Sequence, residues 1–425
     1  VLATDRPADF FGANNLPSGL SLDSSSGIIY GNPSEIGDFY SEIESSNFAG
    51  SQIQSVTFQV RSFSDWPFSL SLSFDGYQEP VTVNNIPVYV ELNSSISGFS
   101  YEQFSSVWGH DLRFLTADGS RELKYEVVNW DPLGTSSFWV LLPELNATTS
   151  IVAVWGNPSV SEQPDYCKNG SVWSKYRGVW HMDEKRNDLI IDSRGSFHAT
   201  PNNFDTLRVT GLMGSALNFD GENDYLNMAL DSHPPDGTNQ LTISFWTYGR
   251  FQSLVNSTLF ESGSSLGRHL NVHFPWSNSR FYWDAGAGTY DRLEKEDASY
   301  LNQWIFWTLQ KEVDLGVMRI FKNGDLFAEA FNRTRPIGGG VDLCKVGSAR
   351  TGGLWWKGWL DEFRIGLFVE DPNTIKAHYL SQKPGAVEDF IIKSTVEGPP
   401  IIVKSQLAEG YANDASRTFS YFIET

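Results

Sequence analysis

Along most of the chain, apolar and polar residues alternate in short runs that end at Gly, Asn, Asp or Pro. The pattern is clear in "SQIQSVTFQV" (51–60), in "VTVNNIPVYVELNSS" (81–95), and in the 111–159 stretch that opens "DLRFLTADGSRELKYEVV". A period of two places successive side chains on opposite faces of a strand, so each run predicts a half-buried strand. Asp118-Gly119 and Asn146-Ala147 supply hairpin turns between them. The predicted class is all-β, a multi-domain array of β-sandwiches. At 425 residues the chain exceeds what one core organises. The expected division is 1–62, 63–160, 161–386 and 387–425.

Composition agrees with this reading. Aromatic residues make up 14% of the chain, with 15 Trp, 29 Phe and 16 Tyr, and charged residues only 19%; sandwiches rich in turns have this profile. Against 31 basic residues stand 51 acidic ones, a net charge of −20 that repels nucleic acid and anionic membranes. No apolar run is long enough to cross a bilayer, so no membrane insertion is expected and any anchor is expected outside this chain. Five Asn-x-Ser/Thr sequons, at Asn93, Asn146, Asn169, Asn256 and Asn332, favour a secreted or cell-surface glycoprotein.

Three resemblances follow from ordered residues. Leu16 to Asp23, Gly27, Gly31 to Pro33 and Gly37 to Phe39 resemble the immunoglobulin-like repeats of bacterial surface proteins, with Leu20, Leu22, Ile28 and Tyr30 expected to face inward. Asp111 to Phe114, Asp118-Gly119, Trp130, Trp139-Val140 and Trp155 to Pro158 resemble a surface-protein β-sandwich family without assigned activity, often followed by a laminin-G module. From Val179 to Pro384 the chain is similar to a laminin-G/concanavalin A-like jelly roll. Trp180, Asp183-Glu184, Asp192-Ser193, Phe219 to Gly221, Asp224-Tyr225, Phe245-Trp246, Trp304, Asn323-Gly324, Val346-Gly347 and Gly358 to Arg364 carry that likeness. The first of these families opens with Pro-Pro and two strands that the head lacks, and the tail holds them: Pro399-Pro400, then Ile401, Val403, Phe419, Tyr421 and Ile423.

Candidate chemistry is sparse. The seven histidines form no His-Glu-x-x-His motif. "GSSLG" (263–267) matches a nucleophile elbow in letters, but Ser265 lies between two predicted strands rather than between a strand and a helix. The neighbours Asp183-Glu184 and Asp361-Glu362 are expected to point to opposite faces and so cannot act as facing carboxylates; the glutamates read as solvated edge residues. The laminin-G resemblance implies that Asp192 and Asp361 help hold a structural Ca²⁺, with turn-capping as the alternative. Cys167 and Cys344 are either one disulfide across the jelly roll or two buried thiols. Trp359, at a position more often polar in that fold, is either a ligand-facing aromatic or packed under a loop. The expected function is non-enzymatic: a subunit of an extracellular filament or long adhesin, joining other copies of itself head to tail through an immunoglobulin-like domain shared between units. The alternative is a carbohydrate-binding adhesion module using the laminin-G-like domain. Folding of the tail onto its own head is disfavoured on the premise that domains in series hold the ends apart.

Overall fold

The computed structural model describes residues 8–31, 35, 37–48, 50–60, 65–183, 189–250, 256–265, 267–297 and 299–398. The tail strand residues Ile401, Val403, Phe419, Tyr421 and Ile423, and Glu184, lie outside them. The described chain is built almost wholly of strands, as the alternation predicts.

In the head, Phe10–Asn14, Gly37–Asn47 and Gly50–Val60 form one antiparallel sheet, and Leu20–Leu22 pairs with Ile29–Gly31. Leu20, Ile29, Ile43 and Phe58 make its core. The expected inward pair Ile28 and Tyr30 is displaced by one residue. Leu22 opposes Ile29 across the hairpin, and directly opposed residues share a face, so Ile29 is buried while Tyr30 is half exposed.

The second sandwich sets a five-stranded sheet (Ile392–Lys393, Phe68–Ser73, Ser150–Trp155, Arg113–Thr116, Glu122–Leu123) against a three-stranded one (Tyr125–Asn129, Thr135–Leu145, Val83–Asn93). Its core contains Leu70, Val88, Val90, Phe114, Tyr125, Phe138 and Ile151, but also Cys167, Ala377, Ala386, Phe390 and Ile391. The C-terminal part therefore packs differently from the predicted division at 160 and 386. The chain leaves this sandwich after Cys167 and returns through the helix Pro372–Gln382, which Asp371 caps and Pro372 opens. It then runs antiparallel to Phe68–Ser73, with Ile392 opposite Ser73 and Glu397 opposite Ser69. Gly76 admits this return, since a Cβ there would lie 2.4 Å from the Phe390 backbone.

The jelly roll is thus inserted into the second sandwich. Its eight-stranded sheet centres on Lys357–Gly366, flanked by Ser215–Asp220 and Gln240–Gly249 and also paired with Gly178–Trp180. A seven-stranded sheet, running from Ala199–Asn202 to Thr289–Glu296, closes the other side. Trp180, Phe219, Phe245, Phe260, Trp283, Trp307 and Phe363 fill the space between them.

Candidate functional site

Alternation decides what meets between the two sandwiches. On Val83–Asn93, Val88, Val90 and Leu92 point into the second sandwich, which turns Tyr89 and Glu91 outward. Ser137 and Trp139, opposite Glu91 and Tyr89, share that outer face, and Glu126 lies opposite Trp139. The jelly roll presents the outer face of Lys357–Gly366 and of Gly178–Trp180. Tyr89, Trp139, Trp173, Val179, Met213, Trp246, Phe306 and Ile375 form an apolar cluster at the junction.

A charged cluster is buried in that junction. His181 Nδ1 is 2.7 Å from Glu362 Oε1, and its Nε2 is 3.6 Å from Glu126 Oε2, an ion-pair distance longer than a hydrogen bond. Arg364 Nη2 donates to Glu362 Oε2 at 2.6 Å, and the guanidinium lies over the rings of Trp139 and Trp173 at 4.8 and 4.6 Å. Glu126 also accepts from Trp173 Nε1 at 2.5 Å and from Ser193 Oγ at 2.7 Å. Burial alone would lower the pKa of His181, but the Glu362 carboxylate, aided by Glu126, pushes it up to about 10. Burial would raise Glu362, yet His181 and Arg364 hold it below the ordinary value. Asp361, buried and facing Glu362 and Asp183, is driven well above it.

The expectation for Asp361 and Glu362 is corrected here. Two residues of Lys357–Gly366 oppose the single Phe245, a β-bulge, and Glu362 takes a left-handed φ of 54°. Asp361, Glu362 and Arg364 all reach the junction, while Phe363 and Ile365 keep the core. Glu362 is 1% exposed rather than solvated. Met182, next to His181, has a φ of 67°. Strained residues at one spot mark a place whose geometry the surroundings impose.

Beside the cluster the junction opens into a cleft of about 830 Å³. Tyr89, Trp108 and Trp130 supply aromatic wall, Thr135, Ser137 and Ser193 hydroxyls, and Glu91, Glu126, His181, Asp183 and Arg208 charge. Trp108 is 68% exposed, whereas Trp130 is fixed by its indole bond to the Val107 carbonyl.

Other predicted residues fall elsewhere. Asp192 is 1% exposed, and its two oxygens accept from the backbone N–H groups of Val179, Arg194, Ser196 and Phe197. Asp361 accepts from Leu212 and Met213 N–H. The position opposite Val179, near Asp192, is Arg364; Arg364 and Asp361 oppose Ser244 and Trp246, so the bulge leaves them two strand positions, about 7 Å, apart. Backbone N–H groups thus take up both Asp192 oxygens and one oxygen of Asp361, in keeping with the capping alternative, and among the described residues there is no group of three or more His, Cys, Asp or Glu that could hold a metal. The disulfide expectation is likewise corrected. Both thiols are free, Cys167 in the core of the second sandwich and Cys344 in that of the jelly roll, so no backbone adjustment brings them within bonding reach. Ser265 sits in a turn between two antiparallel strands. Trp359 is half-buried, its indole N–H donating to Asn218 Oδ1; Tyr248 stacks on it at 4.6 Å and Arg250 lies over it at 5.9 Å. Its faces are in use, so the cleft, not Trp359, is the open aromatic site. Asn169, Asn256 and Asn332 are exposed, and Asn93 and Asn146 half-buried.

Residues 220–366 match the profile of the concanavalin A-like lectin/glucanases superfamily, and residues 4–62 that of an Ig domain family. The chain carries both domains. A search of curated proteins found no match. Among solved structures, domain 4 of an extracellular arabinanase from Geobacillus stearothermophilus, in complex with arabinotriose, is similar at 18% identity, covering 48% of this chain and 97% of that one with a TM-score of 0.38. The binding domain of botulinum neurotoxin serotype G is 14% identical, covering 49% of this chain and 51% of its own, with a TM-score of 0.40. The chain thus spans about half the length of that toxin domain. Among the described residues no helix is long and apolar enough to cross a membrane.

Proposed function

We propose that the chain is an extracellular binding module whose saccharide site is the cleft between the second sandwich and the jelly roll. The observation that carries this reading is the exposed Trp108 indole at the lip of a cavity of about 830 Å³, within the range of ligand sites, about 300–1,000 Å³. An exposed indole offers a flat apolar face to the C–H side of a sugar ring, and the Thr135, Ser137 and Ser193 hydroxyls and the Glu91 and Glu126 carboxylates offer partners to its hydroxyls. The reading is one of binding rather than turnover: His181 is held by Glu362 at 2.7 Å with Glu126 at ion-pair distance, and Glu126 is already engaged by Trp173 and Ser193. Glycans on the exposed Asn169, Asn256 and Asn332 belong to the same extracellular setting. A glycan array with parent and Trp108→Ala tests the site. Saccharide binding lost in the variant is expected, and no binding by the parent, or equal binding by both, overturns it.

A second reading, head-to-tail assembly, is favoured by the head itself. Phe10, Tyr40 and Ile53 are 50%, 75% and 59% exposed around a core of four buried side chains, and Gly50–Val60 is an edge strand. We propose that residues 399–425 supply the strands that complete such a head. The premise against folding back is corrected: Glu397 lies opposite Ser69, so the tail departs beside the point where the head joins. Mass measurement in solution separates the arrangements. A concentration-dependent polymer abolished by deleting 399–425 supports the filament, and a monomer overturns it.

A further inference from the structure

The outer face of the seven-stranded sheet carries a row of residues in register across six strands: Asn227, Lys345, Glu261, Asn271, Asp284 and Arg292. Their strand neighbours Leu226, Val346, Phe260, Leu270, Ala285 and Leu293 fill the jelly-roll core, so the row faces away from it. It belongs to the seven-stranded sheet, whereas the jelly-roll strands that reach the cleft, Arg208–Thr210 and Ser215–Asp220, belong to the eight-stranded one.

Charge on this face runs against that of the chain. Arg292 grips Asp284 through Nε at 2.6 Å and Nη2 at 2.8 Å, and Arg268 Nη1 binds the same carboxylate at 2.8 Å. Glu261 is 3.6 Å from Arg268 and 3.4 Å from Arg350. Lys345 lies over the Tyr225 ring at 4.5 Å, and among the described residues no carboxylate pairs with it. Lys345, Arg350, Arg268 and Arg292 are thus four cations around the two carboxylates Glu261 and Asp284, on a chain whose net charge is −20; Glu294 and Glu296 stand with Arg280 farther along the same face, so the positive excess is confined to this part of the row. Each carboxylate engages two arginines, which fixes the guanidinium planes while leaving further N–H groups to donate outward. Aromatic rings stand among the cations: Arg292 lies over Tyr282 at 4.6 Å, and Arg268 and Arg292 over Tyr290 at 5.3 Å. Independently of the charges, the fully buried Asn271 Oδ1 beneath the arginines has no hydrogen-bond donor, and a hydroxyl entering between them would satisfy it.

We infer that this face is a second binding site, one that takes an anionic saccharide. Fixed guanidinium forks recognise carboxylate or sulfate groups, the rings accept the apolar side of a sugar, and Asn271 accepts a hydroxyl. A bare anion would use only the first of these. The cleft offers a different chemistry, three carboxylates against Arg208 and the clamped His181, so the two sites differ in the charge they select.

Titration calorimetry on the full chain tests this with three probes: a sulfated heparin oligosaccharide, an oligogalacturonate, and uncharged dextran of similar length. The expected result is binding of at least one polyanion, weakened by added salt as screening requires, and no binding of dextran to this face. The double variant Lys345→Gln/Arg350→Gln should weaken polyanion binding tenfold or more, and Trp108→Ala should leave it unchanged. Should the double variant melt differently from the parent, Lys345→Gln alone replaces it, with a loss of about threefold. Preference for the sulfated or the carboxylated probe identifies the anionic group. Binding of neither polyanion, dextran binding that equals theirs and weakens in Lys345→Gln, or unchanged polyanion affinity in the variant overturns the inference; dextran binding lost in Trp108→Ala alone belongs to the cleft and leaves the inference standing.

Discussion

Buried histidines at the junction and on the seven-stranded side of the jelly roll are driven to opposite charge states. Burial leads the shifts in both places and favours the neutral ring. In the jelly roll it prevails: His233, which accepts from Ser262 and donates to the Gly338 carbonyl, is pushed down to about 4, and His273 to about 3. At the junction His181 lies between two carboxylates and is pushed up to about 10. Depth sets the cost of charge, and the partners contributed by both sandwiches decide whether it is met. The junction's ion cluster takes Glu126 and Trp139 from the second sandwich and Trp173 from the segment that links it to the jelly roll.

The contrast can be broken most strongly at Glu362. Glu362→Gln leaves His181 and Arg364 without their shared counter-charge, and the expected loss is about 3–5 kcal/mol in denaturant unfolding, with His181 titrating far lower by NMR. Next comes alkaline pH. A histidine raised in the folded state contributes stability that is whole below its ordinary 6.5 and is lost as pH rises towards about 10, at up to about 1.4 kcal/mol per pH unit; unfolding at graded pH should show this decline, and Glu362→Gln should flatten it. His233 and His273 give the reverse sign. They must stay neutral while the unfolded chain takes up protons, so stability should fall as pH drops from 6.5 towards about 4 for His233 and about 3 for His273. Smaller still, Ile365→Val, on the core face of the strand that bears Glu362, should cost about 0.5–1.5 kcal/mol and leave every titration unchanged. Chelator and reductant should not move the melting temperature at all, and denaturing alkylation without reductant should label both Cys167 and Cys344.

The jelly roll was legible because its signature residues build the element that bears them: Trp180, Phe219, Phe245 and Val346 are core residues, and a two-residue period marks their strands. The head was legible except for one step of register, where the turn closing at Gly27 decides that Ile29 rather than Tyr30 faces inward. The junction was not. Its acids, histidine and tryptophans come from 126 to 364, and a period of two assigns Glu362 to the wrong face because a bulge consumes one residue there. The insertion was hidden for a related reason. Pro372–Gln382 carries helix-start residues at Asp371 and Pro372, but which core Ala377 and Phe390 enter is settled only by tertiary packing.

The pairing of Ser69 with Glu397 has a mechanical consequence. The chain enters and leaves the two-sandwich body on adjacent antiparallel strands, at the same end. A pull applied between residues 65 and 398 would therefore load this pair like the two tabs of a zipper. The rungs would open one at a time, Glu397 from Ser69 and then Lys393 from Leu72, rather than sharing the force as strands in shear do. Under tension the body would hang to the side of the loaded line as a branch, with the 392–398 segment paying out slack while both sandwiches, and the cleft between them, stay folded.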